Sequence, residues 1–396
     1  MKNNILISAF SCLPNRGSEP GIGWNWALSA AKTQNVYVLT RTKCKDKIEK
    51  NIPEDLKKNL KFIYCDSSKK MRSISIYLEY IFWQLSAYKF AKKLCREIKF
   101  DYVMHLTFGN VFLPTFMHHL NLPFIWGPLG GGEKVDYNFY KNFSFKDRVP
   151  HILKDILIKT AKINPFVLLA SKKAKLIIVR TEDTKKIFLK KYYNKIDLML
   201  ETCIELKDYD RILKTKSNEG LNLIYTGRLI AFKNPVVLID VMNRLKNKKI
   251  FLHIIGDGNQ KNLMLKKIKE YDLKNVKLYG EISREKCLKL VYNSDVFLFP
   301  SFRECGSWSL MEAMLLGKAV ICLNRNGMKM VTDDDSAIRI DAKNQEELID
   351  EFEKAILKLY SDKSFLIEIG LNAKKRIENN FNWGVIEKYI ERILKN

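Results

Sequence analysis

The sequence predicts an α/β protein made of two doubly wound, Rossmann-like domains, and three observations support this fold class. The 396 residues exceed what one ordinary core encloses, so two domains are expected. Short, uninterrupted apolar runs recur along the chain, as is typical of parallel strands buried on both faces. The segments between these runs are long and amphipathic, as crossover helices are. Each half of the chain therefore predicts a βαβ sheet.

The predicted strands form two sets on either side of a polar stretch at 207–220, which we interpret as a linker. We expect one domain over 1–206 and a second over 207–380, facing each other across a central cleft that is lined by the carboxyl ends of the strands. The first set comprises 5–10, 36–40, 61–65, 102–106, 123–127 and 176–180, and the second comprises 221–227, 250–256, 276–280, 296–301 and 319–324.

The net charge of +25 is unevenly distributed. Residues 1–205 carry 35 Lys and Arg against 18 Asp and Glu, whereas residues 206–396 carry 34 against 26. Such an excess indicates an anionic partner, which could be nucleic acid, lipid headgroups or a phosphorylated substrate. It is equally compatible with a lysine-rich composition that has no functional meaning.

The cysteines and the N-terminus indicate the compartment. The eight cysteines are scattered and include no Cys-x-x-Cys pair, which favours reduced thiols over disulfides or a zinc site. The N-terminal apolar stretch is too short for a signal peptide, and no window has the length and apolarity of a membrane span. We therefore expect a soluble cytoplasmic protein.

Two glutamates bracket a small, hydroxyl-rich turn after the strand at 296–301. Ser309 and Glu312 have the Ser-x-x-Glu spacing of a capping box, which predicts a helix start near Ser309. Capping alone does not account for Glu304, Gly306 and Ser307. At the end of a buried parallel strand, backbone N–H groups and a helix dipole can bind an anion, and the carboxylates can accept hydroxyl hydrogens. Anion and hydroxyls together describe a sugar phosphate or a nucleotide.

Two cations follow the first strand of the second half. Arg228 and Lys233 precede Pro235, which we expect to start the next helix. Either cation alone is more simply a solvated surface charge. Because both lie at the same sheet edge as the Glu304 turn, we favour a diphosphate clamp.

The pattern Gly-Arg-(four residues)-Lys followed by Glu-(seven residues)-Glu resembles the family-4 retaining glycosyltransferases of the GT-B fold. Segments 16–27, 124–133 and 256–258 are similar to segments of a bacterial surface-glycan branch of that family. The C-terminal stretch 381–396 resembles the family's helix that crosses back onto the N-terminal domain. The resemblance implies an acceptor-side first domain and a second domain that binds the nucleotide-sugar donor.

The resemblance also implies roles for individual residues. Arg228 and Lys233 would hold the donor diphosphate, and Glu304 would contact the donor sugar near its reacting carbon. Glu312 would accept hydrogen bonds from the ribose, and Gly17 would let the N-terminal backbone approach the phosphates. The remaining donor-binding positions are the turn residues Gly306, Ser307, Trp308 and Ser309 and, near the base, Glu281 and Ile282.

No metal or other cofactor is expected. Negative charge grows on the leaving diphosphate and positive charge on the sugar, so fixed cations, a helix N-terminus and Glu304 can stabilise both. Asp333-Asp334-Asp335 matches the Asp-x-Asp of metal-dependent transferases, but it falls in a polar turn that we interpret as a solvated loop.

The sequence departs from the family pattern at two places. Many relatives carry a histidine where this chain has Trp126-Gly127-Pro128, and His105 is the nearest substitute. His105 is either catalytic or a buried histidine bonded to its surroundings, and the sequence favours neither. The residues after Glu304 replace the commoner Gly-Phe-Gly, which leaves the donor sugar open.

Two segments are candidates for contact with an anionic inner membrane. Segment 143–162 places Ile152, Leu153, Ile156 and Leu157 on one side at helical spacing. Segment 74–94 is aromatic and ends in basic residues, but an ordinary core-packing helix is favoured there.

We therefore expect a retaining, metal-independent glycosyltransferase that moves a sugar from a nucleotide-sugar donor to an acceptor hydroxyl. The acceptor would be a lipid-linked or surface glycan, as in lipopolysaccharide or capsule synthesis. A non-hydrolysing sugar-nucleotide epimerase of the same fold is the alternative. A nucleic-acid-binding protein is disfavoured because the chain lacks the known motifs, and a nicotinamide dehydrogenase because the glycine fingerprint is incomplete.

Overall fold

The computed structural model describes residues 2–67, 75–140, 143–209 and 220–395. Most of the predicted linker, 210–219, lies outside these ranges, as do residues 74 and 396. The chain forms two compact units. The first contains 1–132, 156–203 and 383–396, and the second contains 133–155 and 204–382.

The first unit contains a parallel sheet in the order β3-β2-β1-β4-β5-β6-β7. Its strands are β1 Asn4–Ser8, β2 Asn35–Thr40, β3 Leu60–Tyr64, β4 Tyr102–His105, β5 Phe124–Leu129, β6 Ala174–Val179 and β7 Ile196–Leu198. Strands β1, β4 and β5 are almost wholly buried, as expected for strands covered on both faces.

Helices cover both faces of this sheet. On one face, Trp24 and Trp26 of the first helix share a core with Ile386 and Tyr389 of the C-terminal helix. On the other, Trp83 and Val167 of two further helices share a second core. The helices of the first part of the chain are α1 Ser18–Ala31, α2 Lys45–Glu49, α3 Ile76–Glu97, α4 Tyr137–Tyr140, α5 Phe145–Thr160, α6 Pro165–Lys173 and α7 Glu182–Lys185.

The second unit contains a parallel sheet in the order β10-β9-β8-β11-β12-β13. Its strands are β8 Leu221–Thr226, β9 Ile250–Ile255, β10 Val276–Gly280, β11 Val296–Phe299, β12 Ala319–Leu323 and β13 Ile338–Ile340. The remaining helices are α8 Val237–Arg244, α9 Lys261–Glu270, α10 Arg284–Asn293, α11 Trp308–Leu315, α12 Asn326–Val331, α13 Gln345–Ser361, α14 Lys363–Asn380 and α15 Trp383–Lys395.

The order of this sheet decides which loops are neighbours. Strand β8 pairs with β9 on one side and with β11 on the other, so the chain direction across the sheet switches at β8. The loops that follow β8 and β11 therefore emerge side by side at the carboxyl edge, where doubly wound sheets bind ligands.

Segment 133–155 groups with the second unit, although the sequence analysis places it in the first domain. The reason is a set of aromatic contacts. Phe139 lies 4.5 Å from Phe302 between ring centroids, and His151 lies 6.1 Å from Phe232. Asp136 forms an ion pair with Arg325 at 3.0 Å. The boundary between the units falls within α5.

Within the described ranges, none of the helices has the length and apolarity that crossing a membrane requires.

Helices α13 and α14 each start at a side-chain cap: Asn344 accepts from Glu347 N–H before α13, and Asp362 accepts from Phe365 N–H before α14. Asp362 therefore marks the point at which α13 ends and α14 begins.

Candidate functional site

The loops after β8 and β11 are joined to each other by backbone and side-chain contacts. Phe302 N–H donates to the carbonyl of Phe232 at 2.9 Å. One residue beyond Phe232 and two residues beyond Phe302, Lys233 Nζ lies 2.7 Å from Glu304 Oε1. Both side chains are largely buried, at 13% and 17% exposed. The structure thus brings together one predicted cation and one predicted carboxylate as an ion pair.

Arg228 lies on the same β8 loop and is exposed. Its carbonyl accepts a hydrogen bond from the Tyr225 hydroxyl at 3.0 Å, and its guanidinium carbon lies 6.0 Å from the centroid of Phe232. Close backbone packing fixes this loop, because a Cβ added at Gly256 would lie 1.9 Å from the carbonyl oxygen of Gly227. The 256–258 turn therefore acts as a support for the loop that carries Arg228.

Helix α11 begins at Trp308, near the predicted start, but its N-cap lies two residues before Ser309, so the assignment of Ser309 as the cap is wrong. Ser307 has extended backbone angles and accepts from Leu310 N–H at 3.5 Å, which makes it the N-cap. Ser309 lies inside the first turn, with its hydroxyl 3.0 Å from that of Ser307. The N–H groups of Trp308 and Ser309 belong to the turn that has no intrahelical acceptor, which is where an anion can bind.

Glu312 consequently lies in the second turn of α11 and is not the partner of a capping box. Its Oε1 accepts from the Tyr209 hydroxyl and from Arg284 Nη2, both at 2.8 Å. Arg284 also donates to the Tyr209 oxygen at 2.8 Å. Tyr209 and Arg284 could not be identified from the sequence, because neither belongs to a local pattern with Glu312.

The other turn positions are placed as follows. Glu281 is exposed and Ile282 is half-buried, between β10 and α10. The loop that contains Gly306 is held by Gly327, whose N–H donates to the Glu304 carbonyl at 2.8 Å. A Cβ at Gly327 would lie 1.5 Å from the Cys305 carbonyl oxygen, so only glycine fits there. Gly327 is a further site residue that the sequence analysis missed.

Gly17 is exposed and is the N-cap residue of α1, at φ −76°. The left-handed conformations in this loop belong to Asn15 and Ser18, at φ 54° and 62°. The backbone angles of Gly17 do not themselves require a glycine, and its expected role in letting the backbone approach the donor phosphates stays a prediction. The glycine required for packing is Gly23, where a Cβ would lie 2.2 Å from the Ser11 carbonyl oxygen.

His105 is buried in the first unit, at 1% exposed. Its Nε2 lies 3.5 Å from the Tyr80 hydroxyl and its Nδ1 lies 3.5 Å from Gln84 Nε2. Burial lowers the pKa of His105 from 6.5 to about 4, so the imidazole is neutral at pH 7. This is the environment of a structural histidine, and a catalytic role for His105 stays a prediction.

The aspartates at 333–335 are held by neighbouring side chains. Asp333 pairs with Arg376 and accepts from Ser336 N–H at 3.1 Å, and Asp334 accepts from Arg339 Nη2 at 2.6 Å. Across the described part of the chain, no group of three or more His, Cys, Asp or Glu side chains is arranged to hold a metal ion. The site contains fixed cations, a helix N-terminus and carboxylates.

The fold and site define a class, an α/β protein with two parallel sheets and a charged loop pair at the carboxyl edge of the second. Residues 210–376 match a family model described as glycosyl transferases group 1. A protein from Methanocaldococcus jannaschii, described as an uncharacterized glycosyltransferase, is 27% identical over 236 residues, which is 57% of this chain and 59% of that protein. A 2-deoxystreptamine N-acetyl-D-glucosaminyltransferase from Niallia circulans is 27% identical over 43% of each chain. The matches thus span about half the length of these relatives.

Solved structures resemble the whole chain. A glycosyltransferase from Rickettsia africae has a TM-score of 0.64 at 15% identity and covers 100% of this chain and 99% of its own. The lipopolysaccharide outer core galactosyltransferase WaaB gives 0.65 at 14%, covering 99% of both chains. The Anabaena protein HepE in complex with UDP and glucose gives 0.61 at 14%, covering 100% of both. These comparisons confirm the predicted GT-B fold, and the family model matches this chain within the second unit, over residues 210–376.

Proposed function

We propose that this protein is a retaining, metal-independent glycosyltransferase of the family-4 type. It transfers a sugar from a nucleotide-sugar donor to an acceptor hydroxyl on a lipid-linked or surface glycan. The observation that carries the proposal is the ion pair between Lys233 and Glu304 beside the N-terminus of α11. It combines a cation for a leaving diphosphate with a carboxylate for a reacting sugar.

The chemistry follows from the charges. Cleavage of the sugar–phosphate bond develops negative charge on the diphosphate, which Arg228, Lys233 and the first-turn N–H groups of α11 would stabilise. The sugar ring develops positive charge, which the Glu304 carboxylate would stabilise. Because both charges are then matched by fixed protein groups, the reaction does not call for a metal ion.

Two of the solved structures that resemble this chain support the proposed substrates. HepE forms complexes with UDP and glucose, and WaaB is a lipopolysaccharide outer core galactosyltransferase. We accordingly propose a nucleotide-sugar donor for the second unit and an acceptor from a bacterial surface glycan. Glu312, Glu281 and Ile282 would contact the nucleoside, Glu312 while remaining paired with Arg284.

We also propose that the first unit contacts an anionic lipid surface. Helices α3 and α6 cover the same face of the first sheet, since Trp83 and Val167 lie in one core. Their outer sides expose large apolar residues, and the C-terminal half of α3 also exposes basic ones. The apolar set is Ile76, Tyr77, Leu78, Phe82, Leu85, Phe90, Phe166 and Leu169, and the basic set is Lys89, Lys92, Lys93 and Arg96.

Co-sedimentation with vesicles checks this contact. Phe82→Ser with Leu85→Ser should reduce binding to vesicles that contain phosphatidylglycerol, and wild-type protein should bind neutral phosphatidylcholine vesicles weakly. Ile367→Ser with Leu371→Ser, on the exposed side of α14, is the matched control. Equal binding of all three proteins would contradict the assignment of this face.

The reaction itself is tested by mass spectrometry. The protein is incubated with mixed nucleotide sugars and lipid-linked acceptors, and the anomeric configuration of a product is read by NMR. A glycosylated acceptor with the donor's configuration supports the proposal, and an inverted product refutes retention. Conversion of the donor sugar without any acceptor would instead favour the epimerase.

A further inference from the structure

Arg303 and Arg325 both lie against aromatic rings of the second unit, but of these two only Arg325 has a carboxylate partner among the described residues. Arg325 lies 5.3 Å from the centroid of Phe139 and forms an ion pair with Asp136 at 3.0 Å. Arg303 lies 4.6 Å from the centroid of Phe232, and its Nη1 is 3.4 Å from His151 Nδ1. In the portion of the chain that the structure describes, no carboxylate reaches ion-pair distance of Arg303.

The partner of Arg303 carries no charge. His151 is 6% exposed, and its pKa is lowered to about 4 by burial and by Arg303 and Lys154. The neutral imidazole stacks on Tyr140 at 5.8 Å and can accept one hydrogen bond from the guanidinium. It does not neutralise the cation.

The carboxylates nearest to Arg303 are engaged elsewhere. Glu304 pairs with Lys233 at 2.7 Å, Glu133 lies 3.8 Å from Lys154, and Asp155 accepts from the Tyr140 hydroxyl at 2.7 Å. They raise the pKa of Arg303, but burial outweighs them and the pKa is lowered overall. A desolvated guanidinium normally pairs with an anion inside the protein. No such anion of the described chain lies at ion-pair distance from Arg303, so a bound substrate would have to supply it.

The position of Arg303 indicates which substrate supplies it. Arg303 directly precedes Glu304, and its ring partner Phe232 directly precedes Lys233. Arg228 lies near the same ring, at 6.0 Å. In the proposed reaction, Arg228 and Lys233 neutralise the donor diphosphate, so Arg303 is a further cation on the side of the reacting sugar.

We propose that Arg303 is a specificity-determining residue that binds a carboxylate on the transferred sugar, so that the preferred donor is a nucleotide-linked hexuronic acid. A guanidinium fixed by a ring and an imidazole presents its remaining N–H groups as a planar fork, which matches a carboxylate bidentately. This inference rests on the proposed function of the same site. The inference adds that the transferred sugar carries a negative charge, a property that the proposed function does not specify.

Calorimetric binding to three probes tests the inference: UDP, UDP-glucose and UDP-glucuronate, with the corresponding guanosine compounds in parallel. Arg303→Met should weaken hexuronate binding about tenfold or more, since it removes charge-assisted hydrogen bonds to the carboxylate. Binding of the nucleoside diphosphate and the neutral hexose should change by less than about twofold. Arg325→Met removes a ring-stacked arginine that already has its carboxylate, and should leave all three affinities unchanged.

Other outcomes overturn the inference in distinguishable ways. If Arg303→Met weakens UDP binding equally, Arg303 is a diphosphate ligand. If only the KM of a phosphorylated acceptor rises, the anion belongs to the acceptor. If hexose and hexuronate bind alike before and after the substitution, the inference fails while the proposed function stands. If no nucleotide sugar binds the wild-type protein, the proposed function fails first.

A conservative variant covers the case in which Arg303→Met does not fold. Arg303→Lys keeps the charge and the apolar stem but removes the planar fork. Its melting temperature should stay within a few degrees of wild type, and its hexuronate affinity should still fall severalfold. Unchanged hexuronate affinity in this folded variant would overturn the bidentate contact.

Discussion

Replacing Glu304 by Gln removes one charge from the ion pair with Lys233 while preserving side-chain size and an oxygen that accepts hydrogen bonds. Two opposite charges 2.7 Å apart attract by roughly 6 kcal/mol before desolvation is counted, at an effective dielectric constant of about 20. Desolvation of two largely buried groups offsets most of this attraction. Since the amide oxygen of Gln would still place a dipole near Nζ, the free energy of unfolding should fall by only about 1–2 kcal/mol.

The effect on catalysis should be larger than the effect on stability. In the proposed reaction the Glu304 carboxylate faces positive charge that develops only in the transition state. Loss of that charge should lower turnover about 100-fold, equivalent to about 2.7 kcal/mol. Affinity for the nucleoside diphosphate should change little, because its proposed ligands are Arg228, Lys233 and the start of α11.

The assay measures melting temperature, the dissociation constant for nucleotide, and turnover at saturating donor. Glu312→Gln is the matched control, because it makes the same chemical change eight positions later on α11 and weakens the contact with Arg284. We expect Glu312→Gln to weaken nucleotide affinity and to leave saturated turnover near wild type. Normal saturated turnover in Glu304→Gln would refute the catalytic assignment and leave only a structural ion pair.

Three further predictions follow from the same site and from the buried histidine. Arg228→Ala and Lys233→Ala should each cost about 2–4 kcal/mol of transition-state stabilisation, measured as kcat/KM, and full activity in either would remove the diphosphate assignment. EDTA should leave turnover unchanged, whereas strict dependence on Mn²⁺ or Mg²⁺ would restore Asp333 and Asp335 as candidate ligands. Because the pKa of His105 is about 4 in the folded protein and 6.5 in the unfolded chain, only the unfolded chain binds a proton there between these pH values. The free energy of unfolding should therefore decrease by up to about 3 kcal/mol as the pH is lowered from 6.5 to about 4. Urea titrations of wild type and His105→Asn across this range should show a shallower fall in the variant, and parallel curves would contradict the shift.

The long, uninterrupted strands were predictable because their apolar runs are fully buried. The runs at 221–227 and 319–324 correspond to β8 and β12, where every residue is buried. The three-residue strands β7 and β13 were missed, since each lies at a sheet edge and contains a half-buried charged residue, Asp197 or Arg339. An edge strand of three residues is too short for a periodic pattern of apolar residues to be recognised in the sequence.

The candidate site was predictable to the extent that it follows from strand order. Arg228, Lys233 and Glu304 were expected at one sheet edge, and the pairing of β8 with β11 places their loops side by side. The contacts of Glu312 were not predictable, because Tyr209 and Arg284 are 103 and 28 residues away from it in sequence. The cap moved to Ser307 because two serines two positions apart both suit an N-cap, and only the backbone angles distinguish them.

Segment 133–155 shows why the charge of the site could not be inferred from motifs alone. Its sequence continues the predicted first domain, yet its aromatic residues pack on the β8 and β11 loops of the second unit. Through His151 this segment holds the guanidinium of Arg303 beside Glu304 without neutralising it. In the proposed reaction, the motif residues Arg228 and Lys233 would bind the diphosphate of any nucleotide sugar, so they do not distinguish one sugar from another. A residue outside the motif, oriented by a segment from elsewhere in the chain, is the one that can discriminate a charged sugar from a neutral one.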